Sequence, residues 1–180
     1  MTDPDTLLTP RLELRPIQLP VVVALLESRP RSEIEKLIGA ELPWTWPSRA
    51  LVDQVFLPKL EDIVADPATR LWGDRLLTTR ETPSRVVGSV IFHGRPGGDG
   101  VAEISYGVED ASQRMGYGTE ALSECIRWAL AQPECRVVRA TTTAWHKASK
   151  RLLEKIGMRQ VGTRQEDGSE MLVFEIAREA

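Results

Sequence analysis

The most informative run of the chain extends from Val101 to Leu130 and reads VAEISYGVEDASQRMGYGTEALSECIRWAL. Its first part alternates polar and apolar residues, which predicts a strand over 101–109. Its last part carries apolar residues at helical spacing, which predicts an amphipathic helix over 119–130. Between them lies a glycine-containing loop, QRMGYG at 113–118, that opens directly into the helix.

This loop has the features of an anion site. Glycine lets the backbone turn sharply and approach a ligand closely. The first N–H groups of a helix have no intrahelical partner, and the helix dipole adds positive potential there. Arg114 supplies a full positive charge. The loop therefore predicts a binding site for a pyrophosphate.

Three other interpretations of the loop stand beside this one. It could simply cap a helix. Gly116 to Ala121 also fit the G-x-G-x-x-A pattern of a dinucleotide-binding turn, but the strand ends several residues earlier and the next strand ends without a carboxylate. A P-loop requires Lys-Ser/Thr after its last glycine, where this chain has Thr119-Glu120.

The rest of the chain predicts a mixed α/β (α+β) layer fold in a single domain, 1–180. Alternation, helical spacing and Gly/Pro breakers give the order strand, helices, three strands, helix, strand, helix, hairpin. The further predicted strands cover 11–17, 71–80, 85–93, 136–143 and the hairpin 158–165 with 170–176. The further helices begin at Pro20 or cover 32–38, 48–64 and 148–156.

Composition narrows the class of protein. The 180 residues carry a net charge of −3, which disfavours nucleic acid as a partner and weakly favours a cationic substrate. The N-terminus lacks an apolar signal segment and no run is long enough to span a membrane, so a cytoplasmic protein is expected. His93, His146, Cys125 and Cys135 lack metal-ligand spacing, and no metal is predicted.

Two motifs together resemble the GNAT superfamily of acetyltransferases. QRMGYGT at 113–119 is similar to the Q/R-x-x-G-x-G/A loop that holds the coenzyme A pyrophosphate in that family. WHKASKRLLEKIGMRQVG at 145–162 resembles its N-x-x-S-x-x-L-x-E-K-x-G-F segment, and TPRLELRP at 9–16 resembles the start of the RimJ/RimL-like branch. The resemblance implies a single-domain GNAT fold, with a mixed central sheet splayed at the acyl-CoA site and helices on both faces.

The resemblance also implies a cosubstrate, acetyl-CoA, and a set of residues that contact it. His146 stands where the family has asparagine, and it is expected near the pantetheine arm or, alternatively, on the surface. The N–H near Val108 is expected to polarise the thioester. The residues expected to bind coenzyme A are Val108, Gln113, Arg114, Met115, Gly116, Tyr117, Gly118, Thr119, His146 and Ser149.

Glu103 and Ser149 are the candidates for proton transfer. Many family members protonate the leaving thiolate with a tyrosine at the position of Leu153, so Ser149 is the candidate acid; its alternative role is to cap the second helix. Glu103 resembles the glutamate of A-E-I-G-Y in relatives and shares a strand face with Ser105 and Gly107. It is the candidate base, with a pKa that partial burial should raise; alternatively it is a solvated strand residue.

The predicted function is N-acetyl transfer to a primary amine of a small molecule or a protein N-terminus. A non-catalytic acyl-CoA sensor on the same fold is the alternative, and a nicotinamide oxidoreductase is disfavoured by the missing carboxylate. Trp44 and Trp46 either line the acceptor pocket or, as favoured here, fill the core. Because relatives commonly pair, a homodimer using the C-terminal hairpin is expected.

Overall fold

The computed structural model describes residues 3–47 and 57–179. Its strands are β1 (Leu7–Leu8), β2 (Leu12–Pro16), β3 (Asp74–Thr79), β4 (Val86–Phe92), β5 (Val101–Val108), β6 (Val137–Thr143), β7 (Arg159–Glu166) and β8 (Ser169–Ala177). Its helices are α1 (Leu19–Leu26), α2 (Arg31–Ile38), α3 (Leu57–Ala65), α4 (Tyr117–Ala131) and α5 (Lys147–Lys155), with short 3-10 turns at Pro67–Trp72 and Asp110–Ser112.

The strands form one mixed sheet in the order β1-β2-β3-β4-β5-β6-β8-β7. From β1 to β5, each strand runs antiparallel to the next. β5 and β6 are parallel, and they pair only where Val101–Glu103 face Val137–Arg139. Beyond Glu103, β5 continues beside β4 to Val108, while β6 continues beside β8 to Thr143. The sheet is therefore splayed between β5 and β6, as the resemblance implied.

Apolar side chains cover both faces of the sheet. On one face, α4 buries Ala121, Leu122 and Cys125 against Val90 and Ile104 of the central strands. On the other face, α1 and α2 bury a second cluster around Leu76 of β3. The prediction of helices on both faces is confirmed, and the splayed end of β5 stays open between the two layers.

Most predicted elements are present, with two main differences in their bounds. Residues 71–73 are not in a strand, because Asp66 Oδ1 accepts from the Ala68 N–H (3.0 Å) and starts the 3-10 turn Pro67–Trp72. The helix α4 begins at Tyr117, two residues earlier than predicted. Of the helix predicted over 48–64, residues 48–56 lie outside the described residues. Within the described residues, no helix has the length and apolar character to cross a bilayer.

Candidate active site

A cleft of about 580 Å³ opens where β5 and β6 separate, and we call it the β5–α5 cleft. It runs from the middle of β5 to the N-termini of α4 and α5. Its lining residues are Tyr106, Gly107, Val108, Ser112, Gln113, Arg114, Gly116, Tyr117, Gly118, Thr119, His146, Ala148, Ser149, Arg151, Leu152 and Lys155.

One end of the β5–α5 cleft is built for an anion. Gly116 is the N-cap of α4 and adopts a left-handed conformation, φ 84°, which favours glycine. No side chain caps this helix, so its first N–H groups point toward the cleft mouth. Arg114, Arg151 and Lys155 add three positive charges to the lining. This end therefore suits phosphate groups.

Arg11, the residue just before β2, contacts the loop from outside the cleft. Its Nη1 donates to the carbonyl oxygen of Met115 (2.7 Å), and its guanidinium lies over the ring of Tyr117 at 4.7 Å from the centroid. Its Nε donates to Glu120 Oε2 (2.7 Å), and Thr9 Oγ1 donates to Glu120 Oε1 (2.6 Å). These contacts fix the first turn of α4 against β2.

The free edge of β5 forms the floor of the cleft. The Glu103 carbonyl oxygen accepts from the His93 N–H just after β4, and the Glu109 N–H donates to the Val87 carbonyl oxygen of β4. The alternation of a strand therefore turns the N–H groups of Tyr106 and Val108 the other way. The carbonyl oxygen of Val108 accepts from Gln113 Nε2 (3.1 Å), which confirms that direction. The Val108 N–H thus lies on the open edge, available to a carbonyl oxygen bound in the cleft.

Ser149 and His146 lie at the N-terminus of α5. The Tyr106 hydroxyl donates to Ser149 Oγ (3.1 Å), and the Ser149 N–H donates to His146 Nδ1 (3.1 Å). His146 therefore caps α5, and the capping role considered for Ser149 is wrong, because the serine side chain points to Tyr106 instead. Burial raises the pKa of Tyr106, which keeps its proton on the oxygen at neutral pH.

A second cleft, of about 370 Å³, lies on the opposite face of β5, and we call it the β4–β5 cleft. Its lining residues are Thr45, Trp46, Gly88, Ser89, Ile91, Ser105, Tyr106, Gly107, Val108, Glu109 and Asp110. Tyr106, Gly107 and Val108 belong to both clefts. Because Gly107 has no side chain to close the opening, the two clefts meet at this short piece of backbone.

The structure gathers most of the predicted coenzyme A residues in one place. Nine of the ten line the β5–α5 cleft; Met115 does not, and its side chain is exposed. The two tryptophans separate. Trp46 is buried in the second core and also lines the β4–β5 cleft, whereas Trp44 is 93% exposed beneath the Arg31 guanidinium. The core prediction is right for Trp46 and wrong for Trp44.

Glu103 shares the strand face of Ser105 but lines neither cleft. Its Oε1 accepts from Arg164 Nη1 (2.7 Å), and Arg139 Nη1 lies 3.8 Å away. The hydrogen bond from Arg164 holds the pKa of Glu103 below its usual value. The expectation of a raised pKa is therefore wrong: two guanidinium groups favour the charged form more than partial burial disfavours it. This environment does not favour a role as base.

Comparison with known proteins identifies the family. The model of the acetyltransferase (GNAT) domain matches residues 11–159. The chain belongs to the GNAT acetyltransferase family. It is 26% identical over 149 residues to the uncharacterized N-acetyltransferase YjdG of Bacillus subtilis. The aligned region covers 83% of this chain and 86% of YjdG. This GNAT protein is therefore an N-acetyltransferase, and the family uses acetyl-CoA.

Solved structures share the fold of this GNAT chain. The ribosomal-protein-S5-alanine acetyltransferase of Vibrio fischeri superimposes with a TM-score of 0.68 at 12% identity, over 97% of each chain. RimL, a ribosomal L7/L12 α-N-protein acetyltransferase solved in complex with coenzyme A, gives 0.62 at 12% identity, over 94% of this chain and 95% of that one. At these identities the likeness establishes the fold.

Several residues of the GNAT site were not predicted from the sequence. Tyr106, Arg151 and Lys155 line the β5–α5 cleft, and Arg11 braces its loop. A signal existed for Arg151 and Lys155, since both lie in the second motif and one helical turn apart. Arg11 gave no local signal, because its partner Glu120 is 109 positions away.

Proposed function

We propose that the chain transfers the acetyl group of acetyl-CoA to a primary amine that enters from the β4–β5 cleft. The observation that carries the proposal is the meeting of the two clefts at Gly107. A donor held in one cleft and an amine held in the other would face each other across this gap, which supplies the proximity that direct transfer requires.

The β5–α5 cleft fits coenzyme A. The phosphates would be held by the N–H groups of α4 at Gly116–Thr119 and by Arg114, with Arg151 and Lys155 at the rim. Tyr106, Val108, His146 and Ser149 are left for the uncharged arm. The acetyl thioester supplies the carbonyl carbon that the amine attacks.

The residues around the gap can then assist the transfer. The Val108 N–H would stabilise the negative charge that develops on the carbonyl oxygen. The Tyr106 hydroxyl is protonated at neutral pH, and Ser149 Oγ, which it contacts, is the predicted donor to the leaving sulfur. A proton passed from Tyr106 through Ser149 would replace the tyrosine that is absent at Leu153, a buried side chain in this chain.

The β4–β5 cleft fits a cation. Glu109 and Asp110 place two carboxylates in its lining, where Thr45 Oγ1 donates to Glu109 and Gln113 Nε2 donates to Asp110 (2.9 Å). Ser89 and Ser105 add hydroxyl groups deeper in the cleft. We infer that these groups attract an ammonium ion, either of a small molecule or of a peptide N-terminus.

A turnover screen tests the proposal. Purified protein, acetyl-CoA and single amines are combined, and the release of coenzyme A thiol is followed together with the product mass. The panel contains amino acids, polyamines, aminoglycosides and peptides with free N-termini. We expect at least one primary amine to raise thiol release at least roughly tenfold over hydrolysis and to gain one acetyl group. Binding of acetyl-CoA without transfer to any amine would instead favour an acyl-CoA sensor.

We also propose a homodimer and a cytoplasmic location. β7 pairs with β8 on one side only and is largely exposed, so it offers an edge to a second copy. Sedimentation at tens of micromolar should detect the dimer, because these concentrations correspond to an association free energy of about 6 to 7 kcal/mol. A monomer at every concentration would refute the proposal.

A further inference from the structure

Asp74 is a carboxylate in the core with no charged partner among the described residues. It is the first residue of β3, 1% exposed, and its Cα lies opposite Ile91 of β4. Within 3–47 and 57–179, neither of its oxygens has a hydrogen bond of normal geometry. A buried carboxylate without hydrogen bonds lowers the stability of the fold, which suggests that Asp74 has a role beyond packing.

Asp74 lies directly behind the wall of the β4–β5 cleft. Side chains at alternate positions share a face, so Asp74 is on the face of Ile91 and, diagonally, of Ser89. Both β4 residues line the cleft. Ser89 Oγ is likewise buried without a hydrogen bond of normal geometry in the described part of the chain, and the Ser89 hydroxyl lowers the pKa of Asp74. Ser89 therefore separates the buried carboxylate from the cleft.

The surroundings of Asp74 set its proton affinity. Burial raises its pKa to about 7, and Ser89 partly opposes that rise. Arg75, the next residue, points to the opposite face, where its guanidinium lies over the Trp128 ring at 4.4 Å. On the face of Asp74, Arg15 of β2 lies opposite Leu76. His93, the residue just after β4, is on the same face, and its Nε2 lies 2.9 Å from Ser105 Oγ. The cleft carboxylates Glu109 and Asp110 follow β5, at the start of the 3-10 turn Asp110–Ser112.

We propose that Asp74 is the terminal proton acceptor for the attacking amine, reached through the hydroxyl of Ser89. The ammonium ion gives a proton to Ser89 Oγ while the Ser89 hydroxyl proton passes to the Asp74 carboxylate. One N–H bond breaks, one O–H bond forms on Asp74, and the freed lone pair on nitrogen attacks the thioester carbon. The proton leaves to solvent after the product. This inference rests on the proposed function and adds the group that activates the acceptor.

The test compares the variants D74N, S89A and S89T over pH 5.5 to 9. Butylamine, spermidine and trialanine serve as acceptors, and the fastest of them with the wild-type enzyme is used. Asparagine keeps the shape of Asp74 but cannot take a proton. In the wild type, kcat/KM should fall at low pH, and we call this part of the pH profile the acid limb. We expect D74N and S89A each to lower kcat/KM roughly 10²-fold and to abolish the acid limb. S89T, which keeps a hydroxyl group, should retain most of the activity.

Ser105 provides a matched control, because it lines the same cleft and contacts His93 instead of Asp74. S105A should keep the acid limb. If D74N retains the acid limb, or if H93Q removes it, the proposal is overturned. Both D74N and S89A should still bind acetyl-CoA with wild-type affinity by calorimetry, which separates loss of proton transfer from loss of the fold.

An activity-independent measurement completes the test. In ¹³C NMR of the aspartate carboxyl groups, the resonance absent from D74N belongs to Asp74. Its midpoint should lie near neutrality and move upward in S89A, since the Ser89 hydroxyl lowers the pKa. A midpoint below about 5, close to that of an ordinary aspartate, would overturn the proposal. Failure of the wild type with every acceptor would count against the proposed function, whereas an ordinary Asp74 midpoint would count against this inference alone.

Discussion

The Tyr106 hydroxyl donates to Ser149 Oγ over 3.1 Å and joins β5 to α5 across the β5–α5 cleft. The contact links the central strand to the second motif, and neither motif alone contains it. It also supplies hydroxyl groups to the cleft, whereas Leu153 has no proton to donate and is buried in the core. The pair is therefore the candidate source of the proton for the leaving thiolate.

Removing the hydroxyl of Tyr106 tests that role. Y106F should lower kcat roughly tenfold to 10²-fold. The loss is moderate because a thiolate can leave without an acid, although a positioned acid speeds its departure. S149A should cost a similar factor, and the double variant little more, because the two groups act in one path. Acetyl-CoA affinity should stay within about threefold, less than 0.7 kcal/mol. Additive losses in the double variant would contradict a shared path.

The loop glycines give a second prediction. At Gly116, φ is 84°, so a side chain strains the backbone that presents the N–H groups. At Gly118, a Cβ would lie 3.2 Å from Leu152 Cδ1 and 3.4 Å from Val108 Cγ2. G116V and G118V should each weaken acetyl-CoA binding at least tenfold, about 1.4 kcal/mol or more. Calorimetry measures this loss.

The control for the loop variants is G98A. Gly98 has nothing within 4 Å of its ideal Cβ position and lies in the loop between β4 and β5. This change should leave acetyl-CoA affinity as in the wild type. Folded G116V protein with unchanged affinity would show that the phosphates bind elsewhere.

The fold was largely predictable because its signals are local. Strand alternation and helical spacing need only a few neighbouring residues, and they gave nearly every described element. The strand predicted from residue 71 begins at Asp74 instead, because Asp66 followed by Pro67 is a capping signal that starts a 3-10 turn.

The site was predictable where its residues follow one another and hidden where they meet through the sheet. The loop residues 113–119 form one motif. By contrast, Arg11 meets the loop because β2 lies near α4, and Arg164 of β7 meets Glu103 of β5 across β6 and β8. A raised pKa was expected for Glu103 from burial alone, and no pattern along the chain revealed that a guanidinium 61 positions away would reverse it.

Gly107 gives a third prediction, on the opening between the clefts. A Cβ at Gly107 would meet nothing within 4 Å, so G107A should fold normally, whereas the larger G107V should fill part of the β4–β5 cleft. We expect G107V to lower kcat/KM for the amine at least roughly tenfold and to leave acetyl-CoA affinity unchanged. G107A, with the smaller side chain, should lie in between. Loss of acetyl-CoA binding without an effect on the amine would contradict the assignment of the two clefts.

Glu103 allows the sequence hypothesis and the structure to be separated. A base at this position predicts that E103Q loses roughly 10² to 10⁴ in kcat/KM and recovers at high pH, where the amine is already neutral. The ion pair with Arg164 predicts a loss below about tenfold that is independent of pH, since a carboxylate with a lowered pKa binds protons weakly. We expect the second result. In R164Q, the pKa of Glu103 should rise, which carboxyl NMR can follow.

Asp74 gives the last prediction, on the pH dependence of stability. Its pKa is about 7 in the folded chain against 3.8 when unfolded. Between these values the folded state binds more protons, so the unfolding free energy falls as pH rises and levels off above about 7. D74N lacks this titration. The unfolding free energy of D74N, measured relative to that of the wild type, should therefore rise by roughly 1 to 3 kcal/mol between pH 5 and pH 8. The pKa difference sets an upper limit of about 4 kcal/mol on this change. Urea unfolding at both pH values measures the gain. An equal difference at pH 5 and pH 8 would show that Asp74 does not change its protonation on folding, and the carboxylate behind Ser89 would then be an ordinary one.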